Sequence, residues 1–183
     1  MIKIEVNNQD RVSQGDIYRN VEYIESIDEI EGVIEISKIV FPYVIVLTQD
    51  CDLAQDFTFR NESKDTQDKL MLSVLVAPLY NVEHVYAGEH LKKIGQKMEP
   101  INKKKTPGDN LRKNNNPRYH YLEFPDNVQL VPSVIDFKHY FSVNVKYLYK
   151  AKDRNFICKI SELYREDISQ RFASFLSRIG LPS

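Results

Sequence analysis

Four polar or reactive side chains stand in a row at Gln49-Asp50-Cys51-Asp52, and farther along Asp136 and His139 lie three residues apart. These residue types support three kinds of chemistry. Cys51 would be a nucleophile as its thiolate, with His120 or His139 taking the proton. The carboxylates on either side raise a thiol's pKa and oppose that role. Asp50, Cys51 and Asp52, joined by His139 or His120, would offer mixed oxygen, sulfur and nitrogen donors to a divalent metal. No Cys-x-x-Cys spacing supports such a site, and no metal or other cofactor is assigned. In the third reading Asp50 or Asp52 accepts from backbone N–H groups at a turn, and Cys51 is a small buried apolar side chain. The candidate catalytic set is therefore Asp50, Cys51, Asp52 and His139. His139 would act as acid or base near neutral pH, or hydrogen-bond Asp136.

A second set has the types that hold nucleic acid. Residues 91 to 120 carry nine Lys and Arg against Glu99 and Asp109, whereas residues 1 to 68 carry fifteen Asp and Glu against six Lys and Arg. Such a split marks either a nucleic-acid contact or a solvated loop. Lys103, Lys104, Lys105, Arg112, Lys113 and Arg118 would meet phosphates, and Tyr119 and His120 would stack on unpaired bases. Arg165 and Arg171 have partners within reach along a helix surface in Glu162 and Asp167.

Positioning these groups falls to many short strands and one helix. Tyr43 to Thr48 is a continuous apolar run, which predicts a strand buried on both faces that delivers the Asp50 cluster to a sheet rim. Pro42 is placed at its start, where a missing N–H is tolerated. Val33 to Val40 alternates and is expected to pair with that strand. Ile24, Ile27 and Ile30, spaced three apart in an acidic stretch, suggest a loop with a helical turn. Residues 55 to 68 read as a loop or short helix, and Leu70 to Leu79 as a buried strand ended by Pro78. Glu83 to Lys97 reads as a short helix. Residues 97–117 form a basic insertion loop. Strands are expected at residues 118–124, 129–136, 140–149 and 156–160. Ile168, Phe172, Phe175, Leu176 and Ile179 form the stripe of a C-terminal helix, capped by Gly180 and stopped by Pro182.

The run Gly15-Asp16-Ile17-Tyr18, then a loop, then Pro42-Tyr-Val-Ile-Val-Leu-Thr-Gln-Asp50 resembles the MazF/PemK family of bacterial toxins. Val74-Leu-Val-Ala-Pro-Leu79 is similar to that family's next buried strand, and Pro132-Ser-Val-Ile-Asp136 to a later one. The resemblance implies an SH3-like barrel, sequence-specific endoribonuclease activity, a homodimer and an antitoxin partner. It also implies a catalytic Arg just before the Pro and a Ser or Thr near the start of the next strand. Here Val40 and Phe41 stand in the place of that Arg, with Thr66 and Ser73 as imperfect counterparts of the second residue.

The expectation is one domain over residues 1–183, α+β and mainly β, a small SH3-like (MazF/PemK-like) barrel with a C-terminal helix. No apolar run reaches the length of a membrane span, Met1 to Val6 lacks the regions of a signal peptide, and two distant cysteines fit a reducing cytoplasm. The leading functional expectation is RNA binding in a toxin–antitoxin or defence setting. The alternatives are a non-catalytic subunit whose basic loop docks on an acidic protein partner, and a divergent hydrolase using Asp50, Cys51, Asp52 and His139.

Overall fold

The computed structural model describes residues 1–6, 10–62, 66–103 and 109–178. Lys104, Lys105, Ile179, Gly180 and Pro182 lie outside the described residues. The chain is α+β and mainly β. Its strands are β1 (Ile4–Glu5), β2 (Asp16–Ile30), β3 (Val33–Val46), β4 (Ser73–Asn81), β5 (Tyr119–Leu122), β6 (Ser133–Asp136), β7 (Phe141–Asn144) and β8 (Phe156–Ile160). Its helices are α1 (Asp50–Asn61), α2 (Val82–Ala87), α3 (Val145–Asn155) and α4 (Glu162–Leu176). The strands form one curled antiparallel half-barrel sheet in the order β1-β8-β2-β3-β4-β6-β5, with β7 also on β4. Among the described residues no helix is long and apolar enough to cross a membrane.

Alternation along the central strands sends side chains to two of three cores, the third gathering Tyr80, Val85 and Val134 around α2. Ile17, Ile45, Leu79, Ile135 and Phe137 pack under Ile168, Phe172 and Phe175 of α4. Tyr18, Val44, Val46, Val74 and Val76 face the other way and pack with Leu53 of α1 and Leu148 of α3. Of the expected helical stripe, Leu176 is exposed.

Several expectations need correction. Residues 21 to 30 are strand, not a loop with a helical turn, and Glu31 belongs to the hairpin turn that follows. The β2–β3 register shifts between Ile24 and Ser26, and this bulge lets Ile24 and Ile27 share a face despite their spacing of three. Val33 to Val40 does not pair with the strand at Tyr43; both are parts of β3, which pairs along its length with β2. Pro42 therefore sits inside a strand, at the one level where the register skips a pair and Asn20 takes φ 53°. Pro78 does not end β4. Along one edge β4 pairs with β7 as far as Val76 and with β6 from Leu79, so Pro78 falls at the change of partner, where its missing N–H costs no ladder bond on that edge. Residues 140–149 are not one strand. Asn144 caps α3 by accepting from the N–H groups of Lys146 and Tyr147, and the chain turns helical there.

Beyond Val21 and Phe41 the β2–β3 pair leaves the body as a two-stranded ribbon, with no third strand on either edge among the described residues. It closes on Glu31-Gly32, whose φ values of 53° and 78° are those of a type I′ hairpin turn.

Candidate functional site

The sequence-predicted catalytic residues fall in two places. Asp50 opens α1, and Arg11 holds its carboxylate with two bonds, Nη1 to Oδ1 at 3.0 Å and Nη2 to Oδ2 at 2.7 Å. The Gln14 N–H donates to Oδ1 at 3.1 Å, and Arg165 Nη1 of α4 lies 3.4 Å from Oδ2. Burial works against the Asp50 charge, but Arg11, Gln14 and Arg165 outweigh it and hold the pKa below the usual carboxylate range. Asp50 thus ties the segment before β2 to α1 and α4. Cys51 and Asp52 are exposed, and Cys51 Sγ lies 3.7 Å from Gln49 Oε1 and from Asp52 Oδ1. Among the described residues no group of three or more His, Cys, Asp or Glu is placed to hold a metal ion.

His139 lies in a different cluster. The β5–β6 register sets Tyr119 opposite Asp136, which brings Arg118 alongside Asp136. Asp136 is fully buried. It accepts from Arg118 Nε at 2.8 Å, Arg118 Nη2 at 2.5 Å and the Lys138 N–H at 3.0 Å. His139 Nδ1 lies 3.2 Å from Asp136 Oδ2 and 3.2 Å from the Tyr80 hydroxyl. Burial lowers the His139 pKa more than Asp136 raises it, so the ring is neutral at pH 7. With Nδ1–H directed to the carboxylate, Nε2 keeps its lone pair and can accept a hydrogen bond or a proton. The His90 ring is tilted against Tyr80 with centroids 4.9 Å apart, and both its ring nitrogens are buried without a hydrogen-bond partner.

His139 lines a pocket of about 200 Å³ where the ribbon meets the body. The ribbon contributes Tyr23, Ile39 and Phe41, which the register places on one face. The body contributes Tyr80, Tyr140 and Phe141. Phe41 stacks on Phe141 with centroids 5.2 Å apart, and Tyr23 meets Phe141 edge-on at 5.2 Å. Leu91, Ile94 and Gln96 close another side from a 3₁₀ turn, Lys92–Ile94. Four exposed lysines flank these lining residues in the chain: Lys92, Lys93, Lys97 and Lys138. The result is an aromatic slot with one neutral imidazole, whose lining residues are flanked in the chain by these lysines, of which Lys92 lies 3.9 Å from Glu89. It shares no lining residue with the groove that holds Asp50 and Cys51 between α1 and α4.

The predicted nucleic-acid residues are dispersed. Lys103 pairs with Glu83 at 2.6 Å and lies over the Tyr86 ring at 4.5 Å. Arg112 pairs with Glu83 at 3.1 Å and with Asp109 at 3.7 Å. Lys113 is exposed, and Arg118 is committed to Asp136. Tyr119 and His120 are buried, so neither ring is open to a base in this conformation. Burial pushes His120 down to about 3. The pocket aromatics Tyr23, Phe41, Tyr80 and Phe141 escaped sequence reasoning. The signal for two of them was the pairing of a strand through Tyr23 with one through Phe41, which the acidic stretch around them obscured. No family model matches the chain, and no curated protein matches it either.

Proposed function

We propose that this chain is a bacterial, cytoplasmic protein with a MazF/PemK-like, SH3-like barrel that binds single-stranded RNA. One unpaired base sits in the aromatic pocket, and the adjoining phosphates meet the lysines that flank its lining residues in the chain. The observation that carries this reading is the pocket itself: rings from Tyr23, Phe41, Tyr80, Tyr140 and Phe141 around a space of about 200 Å³. Stacking on such rings is how unpaired bases are held, and the flanking lysines supply the salt-sensitive part of the affinity. Neutral His139 adds an acceptor for a base N–H.

Phe41 gives the reading its direction. It stands directly before Pro42, where the family resemblance places a catalytic arginine, and it lines the pocket with a ring. Losing a cation that stabilises developing phosphate charge costs orders of magnitude in rate. The site is therefore proposed to bind RNA without the family's cleavage reaction, in a toxin–antitoxin or defence setting. The test is fluorescence anisotropy of a labelled single-stranded RNA across a salt series. The logarithm of affinity is expected to fall linearly with the logarithm of salt, with a slope of about −0.7 per phosphate contacted. No binding at low salt overturns the reading.

A further inference from the structure

Arg171 carries a charge that the protein does not balance. It stands on α4 one turn beyond Asp167, yet the pair that this spacing offers is not made, and Asp167 Oδ2 lies 4.0 Å from His120 Nε2 instead. No carboxylate among the described residues pairs with the Arg171 guanidinium. Its Nη2 donates to two backbone carbonyls, Asn116 O at 3.1 Å and Tyr119 O at 2.9 Å, and so straps α4 to the turn before β5. Nε is buried without a partner, and Nη1 is the nitrogen left open, with no hydrogen bond to the protein. Burial lowers the Arg171 pKa from its ordinary value, opposed only by the more distant charge of Asp167. Carbonyls satisfy Nη2 but bring no counter-charge, and a half-buried cation without one is costly.

The guanidinium forms one wall of an open pocket of about 400 Å³, lined also by Asn115, Pro117, Gln170 and Ser174, none of them acidic. Gln170 and Ser174 are one turn apart on α4, and Ser174 is three residues beyond Arg171, so the three share one stretch of helix surface. Gln170 and Ser174 are exposed, and neither side chain hydrogen-bonds to another described residue. We propose that this pocket binds the phosphate group of a small phosphomonoester, with Arg171 Nη1, the Ser174 hydroxyl and the Gln170 carboxamide donating to separate phosphate oxygens. The state of the guanidinium favours phosphate over carboxylate. A carboxylate is gripped by two guanidinium nitrogens side by side, but here Nη2 is taken by carbonyls and Nε is buried. One open nitrogen, complemented by a hydroxyl and an amide, suits a tetrahedral group with several oxygens. A space of about 400 Å³ falls within the range of small-ligand pockets and leaves room for the organic part. Gln170 also lines the neighbouring groove, where Glu166 and Asp167 stand, so a nucleic-acid backbone running on that way would meet like charge. The pocket shares no lining residue with the aromatic pocket, so it stands or falls apart from the RNA reading.

Amide NMR spectra of the isotope-labelled full chain, titrated with inorganic phosphate and with glycerol phosphate at constant ionic strength and pH, test the proposal. Both probes are expected to shift the amides of Asn115, Gln170, Arg171 and Ser174, with glycerol phosphate binding at least as tightly. Ser174→Asp puts a negative charge into the pocket at an exposed position whose side chain holds nothing else in place, and is expected to weaken both probes by about tenfold or more. Arg171→Gln is expected to abolish binding. It also loses the straps to Asn116 and Tyr119, so its thermal unfolding is compared with wild type, and Ser174→Asp, which touches neither strap, decides if that variant unfolds. No shift with either probe overturns the proposal, as do shifts centred on exposed lysines such as Lys92 and Lys93, or undiminished binding by Ser174→Asp. An end-phosphorylated single-stranded RNA that shifts these amides where glycerol phosphate does not would assign the pocket to nucleic-acid ends and overturn the small-molecule assignment.

Discussion

The Arg118 guanidinium grips both oxygens of the Asp136 carboxylate, and that carboxylate has no solvent exposure. An ion pair of this kind is held as a unit, because removing one partner strands a buried charge. Arg118 therefore serves the pocket through Asp136, which in turn orients His139. Arg118→Ala is expected to destabilise the fold by about 3 kcal/mol or more in urea unfolding. Arg118→Lys keeps the charge without the two-pronged grip, and should fall between the wild type and the alanine variant. A loss under about 1 kcal/mol for the alanine variant would mean that solvent reaches Asp136 after all.

Two buried groups give stability opposite dependences on pH. Burial, with Arg171 adding to it, pushes His120 down to about 3, against an ordinary 6.5. The unfolded ring takes up a proton that the folded ring refuses, so this contribution is present above pH 6.5 and lost as pH falls toward 3. At pH 4 the loss is about 3 kcal/mol. Burial raises Asp16 from 3.8 to about 6, although the Ser13 N–H, the Tyr18 hydroxyl and nearby Lys159 and Lys152 pull it back. The folded carboxyl holds its proton more tightly, so its contribution is full below pH 3.8 and lost as pH rises through 6. His120→Leu is expected to flatten the acid side of the stability curve. Asp16→Asn should raise stability above pH 6, because the bonds from Ser13 and Tyr18 both land on Oδ2 and an amide oxygen can accept both. Urea titrations at pH 4, 5.5 and 7 would refute this if both variants paralleled the wild type.

Local physics decided how much of this could be read in advance. Val44, Ile45 and Val46 announced a doubly buried strand because both their neighbouring faces are apolar, and the structure buries all three. The Asp136–His139 contact was readable because three residues span one 3₁₀ turn. Arg118 and Asp136 are eighteen residues apart, and only the β5–β6 register brings them together. The ribbon was hidden by its bulge, which turned a two-residue period into a spacing of three. The α3 start had a signal in Asn144, but the aromatic and β-branched residues around it imitate a strand. Where a contact depends on register between distant segments, no local pattern carries it.

The two thiols should differ sharply. Cys51 is exposed, whereas Cys158 is buried in the sheet, where burial pushes its thiol up to about 12. The thiolate is the reactive form. The native protein is expected to show one thiol that reacts readily with a disulfide reagent at pH 8, and a second only after unfolding. Cys51→Ser should abolish the first phase and leave stability within about 0.5 kcal/mol of wild type. Two fast thiols in the native state would place Cys158 in an opening segment.

Ring stacking and lysine–phosphate attraction in the proposed RNA site are separable by salt. Stacking carries no net charge, so Tyr23→Ala and Phe41→Leu should lower affinity for single-stranded RNA by about 1–3 kcal/mol each while leaving the salt slope unchanged. Lys92→Ala with Lys93→Ala takes cations away from the phosphates, and should reduce the slope by about 0.7 for each phosphate no longer neutralised. Arg118→Lys should leave the slope alone, because that guanidinium is already committed to Asp136. The tyrosine and phenylalanine variants are also to be compared by thermal unfolding, since both rings pack on Phe141. Ring variants that changed the slope as the lysine variants do would place the base elsewhere and leave the pocket to some other apolar group. An affinity loss in the ring variants at constant slope and constant stability, beside a reduced slope in the lysine variants, is the pattern expected of a base inserted in the pocket with its phosphates on the lysines.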